Sequence, residues 1–139
     1  MSLELFMKDH AILPQEVEYI ASKRFRDEAG KPVAWKLRPV DSSQSEQLRS
    51  ACMKKGEGKT AVVPEVDTAL YISRLLVACT IYPNLHDKAL QDSYGAMCAE
   101  DLLRKMLLPG EYDNYSAKVA EICGFDENMD ELVNTVKNS

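Results

Sequence analysis

From Ala69 to Tyr82 the chain reads ALYISRLLVACTIY, with apolar side chains on nearly every face of a helix. A helix that is apolar all round cannot sit on a surface and must be surrounded by the rest of the fold. This segment therefore predicts a central buried helix, opened after Pro64 with Asp67 or a residue nearby as its cap and stopped by Pro83-Asn84. The wider stretch from Leu75 to Tyr112 continues as an apolar helical core, broken again at Pro109-Gly110. It holds no cluster of polar residues spaced for catalysis, which points to a helical interaction protein.

Helices to cover that centre follow in order. Asp87 starts a short one reaching about Tyr94, with Gly95 as the break. Residues 96–108 give the next, with Ala99, Leu102, Leu103, Met106 and Leu107 inward and Glu100, Asp101, Arg104 and Lys105 outward. Tyr112 to Cys123 is helical, with Tyr115, Val119, Ile122 and Cys123 inward and Gly124 as its C-cap. A last helix over 126–137 places Met129, Leu132, Val133 and Val136 at i, i+3, i+4 and i+7. Upstream, Ser42 and Ser43 open a helix running to about Lys54. Ser43 and Glu46 have capping-box spacing, and Leu48, Ala51 and Cys52 form the apolar side.

The front of the chain has a different rhythm. Residues 2–10 read as a short amphipathic helix capped by Ser2, with Leu3, Phe6, Met7 and His10 on one face. That face needs cover from this domain or a neighbouring subunit. Residues 16–25 and 33–40 read as the strands of a β-hairpin. Val33, Trp35 and Leu37 share one side, Lys36 and Arg38 the other, and the RDEAGKP loop offers Gly30 for a positive φ. Pro39 suits the end of an edge strand. A lone hairpin is marginal in water, so the Trp35 face must pack on helices. The expected fold is α+β, an N-terminal antiparallel hairpin on a bundle of four to six helices. Residues 1–139 form one domain: an arm over 1–14, the hairpin over 15–40 and a helical body over 41–139.

Composition fits a globular chain: 139 residues, 45% apolar and 28% charged. No apolar run is long enough to span a membrane, and the acidic start is unlike a signal peptide, so the chain is expected to stay in the cytoplasm that made it. Cysteines at 52, 79, 98 and 123 form no C-x-x-C pair. Neither a zinc site nor a disulfide framework is expected, and Cys79 and Cys98 read as small hydrophobes. Charge is uneven: residues 1–22 carry −3, 23–59 carry +5 and 60–139 carry −7. A basic front on an acidic body suggests head-to-tail self-association or a charged partner, with Arg24, Arg26 and Lys36 as candidate self-association residues.

Catalytic readings fail on spacing. Asp87, Asp92, Glu100 and Asp101 fall on an exposed helical face rather than in a cleft, and His86 has no marked nucleophile nearby. Gly58-Lys59-Thr60 resembles the end of a phosphate loop, but position 53 is Met where that loop needs Gly. No cofactor or metal is expected. Lys23, Arg24, Arg26, Lys31, Lys36 and Arg38 surround Phe25 and Trp35, a mix that can bind single-stranded nucleic acid. The acidic total and the inward phase of Trp35 disfavour that reading. Tyr82, Tyr94, Met97, Met106 and Tyr112 are candidates for holding apolar helices of a partner, since Met and Tyr adapt to varied apolar shapes. Periodicity alone leaves core and groove open for each.

Five segments carry a resemblance in combination: KRFRDEAGKPVAWKLR, VACTIYPNL, LQDSYG, MLLPGEY and ICGFDENMDELV. With them, from about Ser22 to Asn138, the chain resembles the XkdN-like family of phage tail assembly chaperones. None of the segments is a catalytic signature. The resemblance implies a non-enzymatic protein that binds the tape measure protein, a long apolar helical chain, and keeps it soluble during tail assembly. It implies work in the cytoplasm of the bacterial host and absence from the mature virion, with tail tube protein and further copies of the chain as other candidate partners. A structural tail completion or connector subunit is the alternative, followed by a small nucleic-acid-binding protein.

Overall fold

The computed structural model describes residues 2–12, 14–54 and 65–125. The fold is α+β, a small antiparallel sheet packed on helices, with five α-helices among the described residues. The Gly-Lys loop and the helix expected over 126–137 lie outside them.

The hairpin forms as the alternation dictates. Strand β1 (Val17–Tyr19) pairs antiparallel with β2 (Trp35–Leu37), placing Tyr19 opposite Trp35 and Val17 opposite Leu37. The connecting loop closes with Arg26 bridging Pro32 and with Gly30 at φ 81°. Trp35 and Leu37 are buried and Lys36 between them is exposed.

Helix α1 (Ser42–Ala51) has its cap two residues before Ser43, the position that the capping-box spacing suggests. Asp41 is its cap: the carboxylate accepts from the Gln44 N–H, and the Gln44 side chain accepts from the Asp41 N–H. A carboxylate accepts more strongly than a hydroxyl at a helix N-terminus, so Asp41 displaces Ser43, which donates to it instead. The helix also stops at Ala51. Beyond it β3 (Met53–Lys54) pairs with β4 (Glu65–Val66), and the Asp67 N–H donates to the Cys52 carbonyl.

Helix α2 (Thr68–Cys79) is the expected centre, with Asp67 accepting from the Leu70 N–H. It packs against α1 and against the two long helices that follow. It ends three residues short of Tyr82. Thr80–Tyr82 forms β5, which pairs with the free edge of β2 and makes a three-stranded sheet in the order β1-β2-β5. Two β-branched residues and a tyrosine placed before Pro83 favour extended backbone, and the open edge of β2 supplies partners. The segment that reads as helix is thus helix followed by strand.

Helix α3 (Lys88–Ser93) is capped by Asp87, and Gly95 follows at φ 63°. Helix α4 (Ala99–Met106) buries Ala99, Leu102, Leu103 and Met106. Cys98, read as a small core hydrophobe, is instead exposed at its N-cap position. Helix α5 (Pro109–Ile122) begins at the residues expected to break the chain. Proline suits the first helical position, where its fixed φ is helical and its missing N–H has no intrahelical partner to lose. The core joins Trp35 and Leu37 of the sheet to Leu75, Leu76 and Cys79 of α2, Leu102 and Leu103 of α4, and Tyr115 and Val119 of α5. Trp35 meets Tyr115 edge-on, with ring centroids 5.4 Å apart.

The N-terminal arm departs most from expectation. Ser2 caps it, but only Leu3–Phe6 is helical, as a single 3₁₀ turn. Leu3 and Phe6 are 73% and 79% exposed, so their apolar face has no cover among the described residues. Without cover, so short a segment gains too little to hold an α-helix.

Candidate functional site

Two of the four carboxylates in the middle of the chain, Asp87 and Asp101, are used structurally. Asp87 caps α3. Asp101 accepts from the Met97 N–H and pairs with Lys105 at 3.2 Å, contacts that hold its carboxyl below the usual range. His86 is exposed, and its N–H donates to the Asn84 side chain. Among the described residues no group of three or more His, Cys, Asp or Glu is placed to hold a metal ion.

The apolar surface is more informative. A groove of about 910 Å³ runs between α2, α4 and α5. Ala69, Leu70 and Ile72 line one wall, Leu107, Pro109 and Tyr112 the other. Charge stands around these apolar walls as Asp67, Arg104 and Asp113. Ile72 lies on the helix that reads as apolar all round, yet it is 36% exposed. Among the described residues this side of α2 is not fully covered, and periodicity carries no sign of which side stays open.

The five residues singled out for partner binding are dispersed over this surface. Tyr112, half-buried on α5, lines the large groove. Tyr82, exposed on β5, lines a smaller hollow of about 360 Å³ with Arg24, Trp35, Pro83 and Leu90. Met106 contributes to the floor of that hollow but is only 4% exposed. It belongs to the core, because it sits in the inward stripe of α4, and it offers little surface to a partner. Tyr94 and Met97 occupy the turn between α3 and α4 and line neither cavity; Met97 is 90% exposed.

The basic candidates separate in the same way. Arg24 donates to the Met106 carbonyl and to Glu111, so its charge is engaged within the chain. Arg26 donates to the Gly30 carbonyl across the hairpin loop. Lys36 stands exposed on β2. Trp35 is 2% exposed and packs on Tyr115 and Phe25, so it cannot serve as a stacking platform for bases. The hollow and the Arg24 contacts depend on which helix ends meet the hairpin, and no local sequence signal announces them.

Residues 3–137 match the family model of the phage XkdN-like tail assembly chaperone protein. The chain belongs to that family. Two curated relatives come from Bacillus subtilis (strain 168). YqbN is 31% identical over 98% of this chain and 93% of its own length. XkdN of the phage-like element PBSX is 29% identical over the same shares. The crystal structure of YqbN superposes with a TM-score of 0.78 at 29% identity, covering 91% of this chain and 98% of that one. The XkdN-like match spans the segments that form the hairpin and the five helices. Among the described residues no helix of this family member is long and apolar enough to cross a membrane.

Proposed function

We propose that this chain is a tail assembly chaperone that binds the tape measure protein and keeps it soluble while the tail is built. The observation that carries the reading is the family match over residues 3–137. The open groove beside Ile72 and Tyr112 supports it, because an apolar groove with a charged rim suits one face of an amphipathic helix. Many weak contacts along one long helical partner add up through avidity, so each copy needs only modest affinity. The role is non-enzymatic and cytoplasmic, and it ends before the virion is complete. Tail tube protein and further copies of the chain are secondary partners in this reading, and the whole chain acts as one domain.

Co-expression with the tape measure protein of the same phage or prophage tests the proposal. The expected result is a soluble tape measure protein that co-purifies with many copies of this chain, while purified particles lack the chain by mass spectrometry. An insoluble tape measure protein together with this chain in finished particles would instead establish a structural tail subunit.

A further inference from the structure

Two thiols far apart in sequence meet in the fold. Cys79, the last residue of α2, and Cys123, just past the end of α5, bring their sulfur atoms to 3.6 Å across 44 residues of chain. Cys79 is fully buried, whereas Cys123 is partly exposed. Cys123 opens onto a hollow of about 300 Å³ with Ser45, Arg49, Leu75 and Phe125. The pair therefore has one sulfur reachable from outside and one poised behind it, and the hollow over the reachable one carries both Glu46 and Arg49.

We propose that Cys79 and Cys123 are a redox modification site, closing to a disulfide by exchange with an oxidised low-molecular-weight thiol. The Cys123 thiolate attacks one sulfur of the small disulfide, forming a mixed disulfide and releasing one small thiolate. The Cys79 thiol then attacks the Cys123 sulfur and breaks the mixed disulfide, its proton passing to the departing small thiolate, which leaves as the second small thiol. Two protein thiols are oxidised to one disulfide, and one small disulfide is reduced to two thiols. The order follows from access, because only Cys123 can be approached first. The charge states agree with it. A hydrogen bond from Cys79 holds the Cys123 thiol down to about 6 despite partial burial, with the Val40 N–H helping. The same hydrogen bond and burial push Cys79 up. Bond formation needs the sulfurs to approach from contact to bonding distance, about 2.0 Å. The product joins the C-terminal ends of α2 and α5 immediately beside Thr80, where β5 begins.

The test uses the full chain carrying Cys98→Ser, which removes the other exposed thiol, treated with oxidised glutathione. Intact mass should fall by two hydrogen atoms with no glutathione retained, and peptide mapping should find Cys79 linked to Cys123. The melting temperature should rise on oxidation and return with dithiothreitol. In a Cys79→Ser variant the reaction should halt with glutathione on Cys123, and in Cys123→Ser it should not begin. Glutathione that stays on Cys123 while Cys79 is present, a bridge to Cys52, or no modification of Cys123 would each overturn the proposal. The parent measurement decides the matter even if either serine variant fails to fold.

Discussion

One nitrogen of the Arg24 guanidinium, Nη2, donates to both the Met106 carbonyl at 2.7 Å and the Glu111 carboxylate at 2.9 Å. The hairpin is thereby fastened to the end of α4 and the first turn of α5. Replacing Arg24 with Met should lower stability by about 1 kcal/mol, the scale of a partly exposed charged hydrogen bond. Arg24→Glu should cost more, since it sets a like charge beside Glu111. Urea unfolding measures both. Weaker self-association of an Arg24 variant would then reflect a loosened hairpin unless Arg26→Glu or Lys36→Glu shows the same effect.

The same contact predicts an acid limb in the stability curve. The Arg24 hydrogen bond, aided by Ser22 and the Leu108 N–H, holds the Glu111 carboxyl down to about 2 from an ordinary 4.5. A folded-state pKa below the unfolded one gives stability that is complete above about 4.5 and is lost as pH falls towards 2. Asp41 and Asp101 are lowered too and add to the same limb. Glu111→Gln should therefore flatten the loss between pH 4.5 and 2 without abolishing it. Thermal melts across that range provide the check.

At the centre, the Tyr115 hydroxyl meets Thr80 Oγ1, which also hydrogen-bonds the Leu76 carbonyl. Tyr115→Phe leaves Thr80 its bond to Leu76, so the loss should be about 1 kcal/mol. Leu103→Ala opens a cavity where exposure is zero and should cost about 2–5 kcal/mol. Denaturant midpoints of the two variants should separate clearly.

Features governed by local periodicity are legible in the residues themselves. The alternation around Trp35 produces the hairpin, Asp67 and Asp87 cap their helices, and the α4 stripe from Ala99 to Leu107 is buried as a set. What escapes such reading depends on neighbours distant in sequence. Thr80–Tyr82 becomes a strand because β2 offers an open edge. The meeting of Cys79 with Cys123 follows from α5 packing along α2, a tertiary fact with no local mark. At the candidate surface, the residue types are readable but their grouping is not. Met106 enters the core with the inward stripe of its helix, whereas Tyr112 enters a groove whose other wall comes from α2, which the periodicity of its own helix does not reveal.

Two substitutions distinguish the groove from the rest of the apolar surface. Ile72 forms part of a groove wall and is 36% exposed, so Ile72→Asp removes less packing than a change on the buried face of α2 would. It does set a further carboxylate among Asp67 and Asp113 and makes the groove hostile to an apolar helix face. Met97 is 90% exposed on the turn before α4, so Met97→Asp should change stability by no more than about 0.5 kcal/mol. If the groove takes the tape measure protein, Ile72→Asp should abolish its solubilisation in co-expression while the melting temperature stays close to that of the parent. Met97→Asp should then leave solubilisation nearly intact. The reverse pattern would move the contact to the α3–α4 turn, where Tyr94 stands beside Met97. Loss of solubility with neither variant would remove both surfaces from consideration and turn attention to Tyr82 and the hairpin hollow.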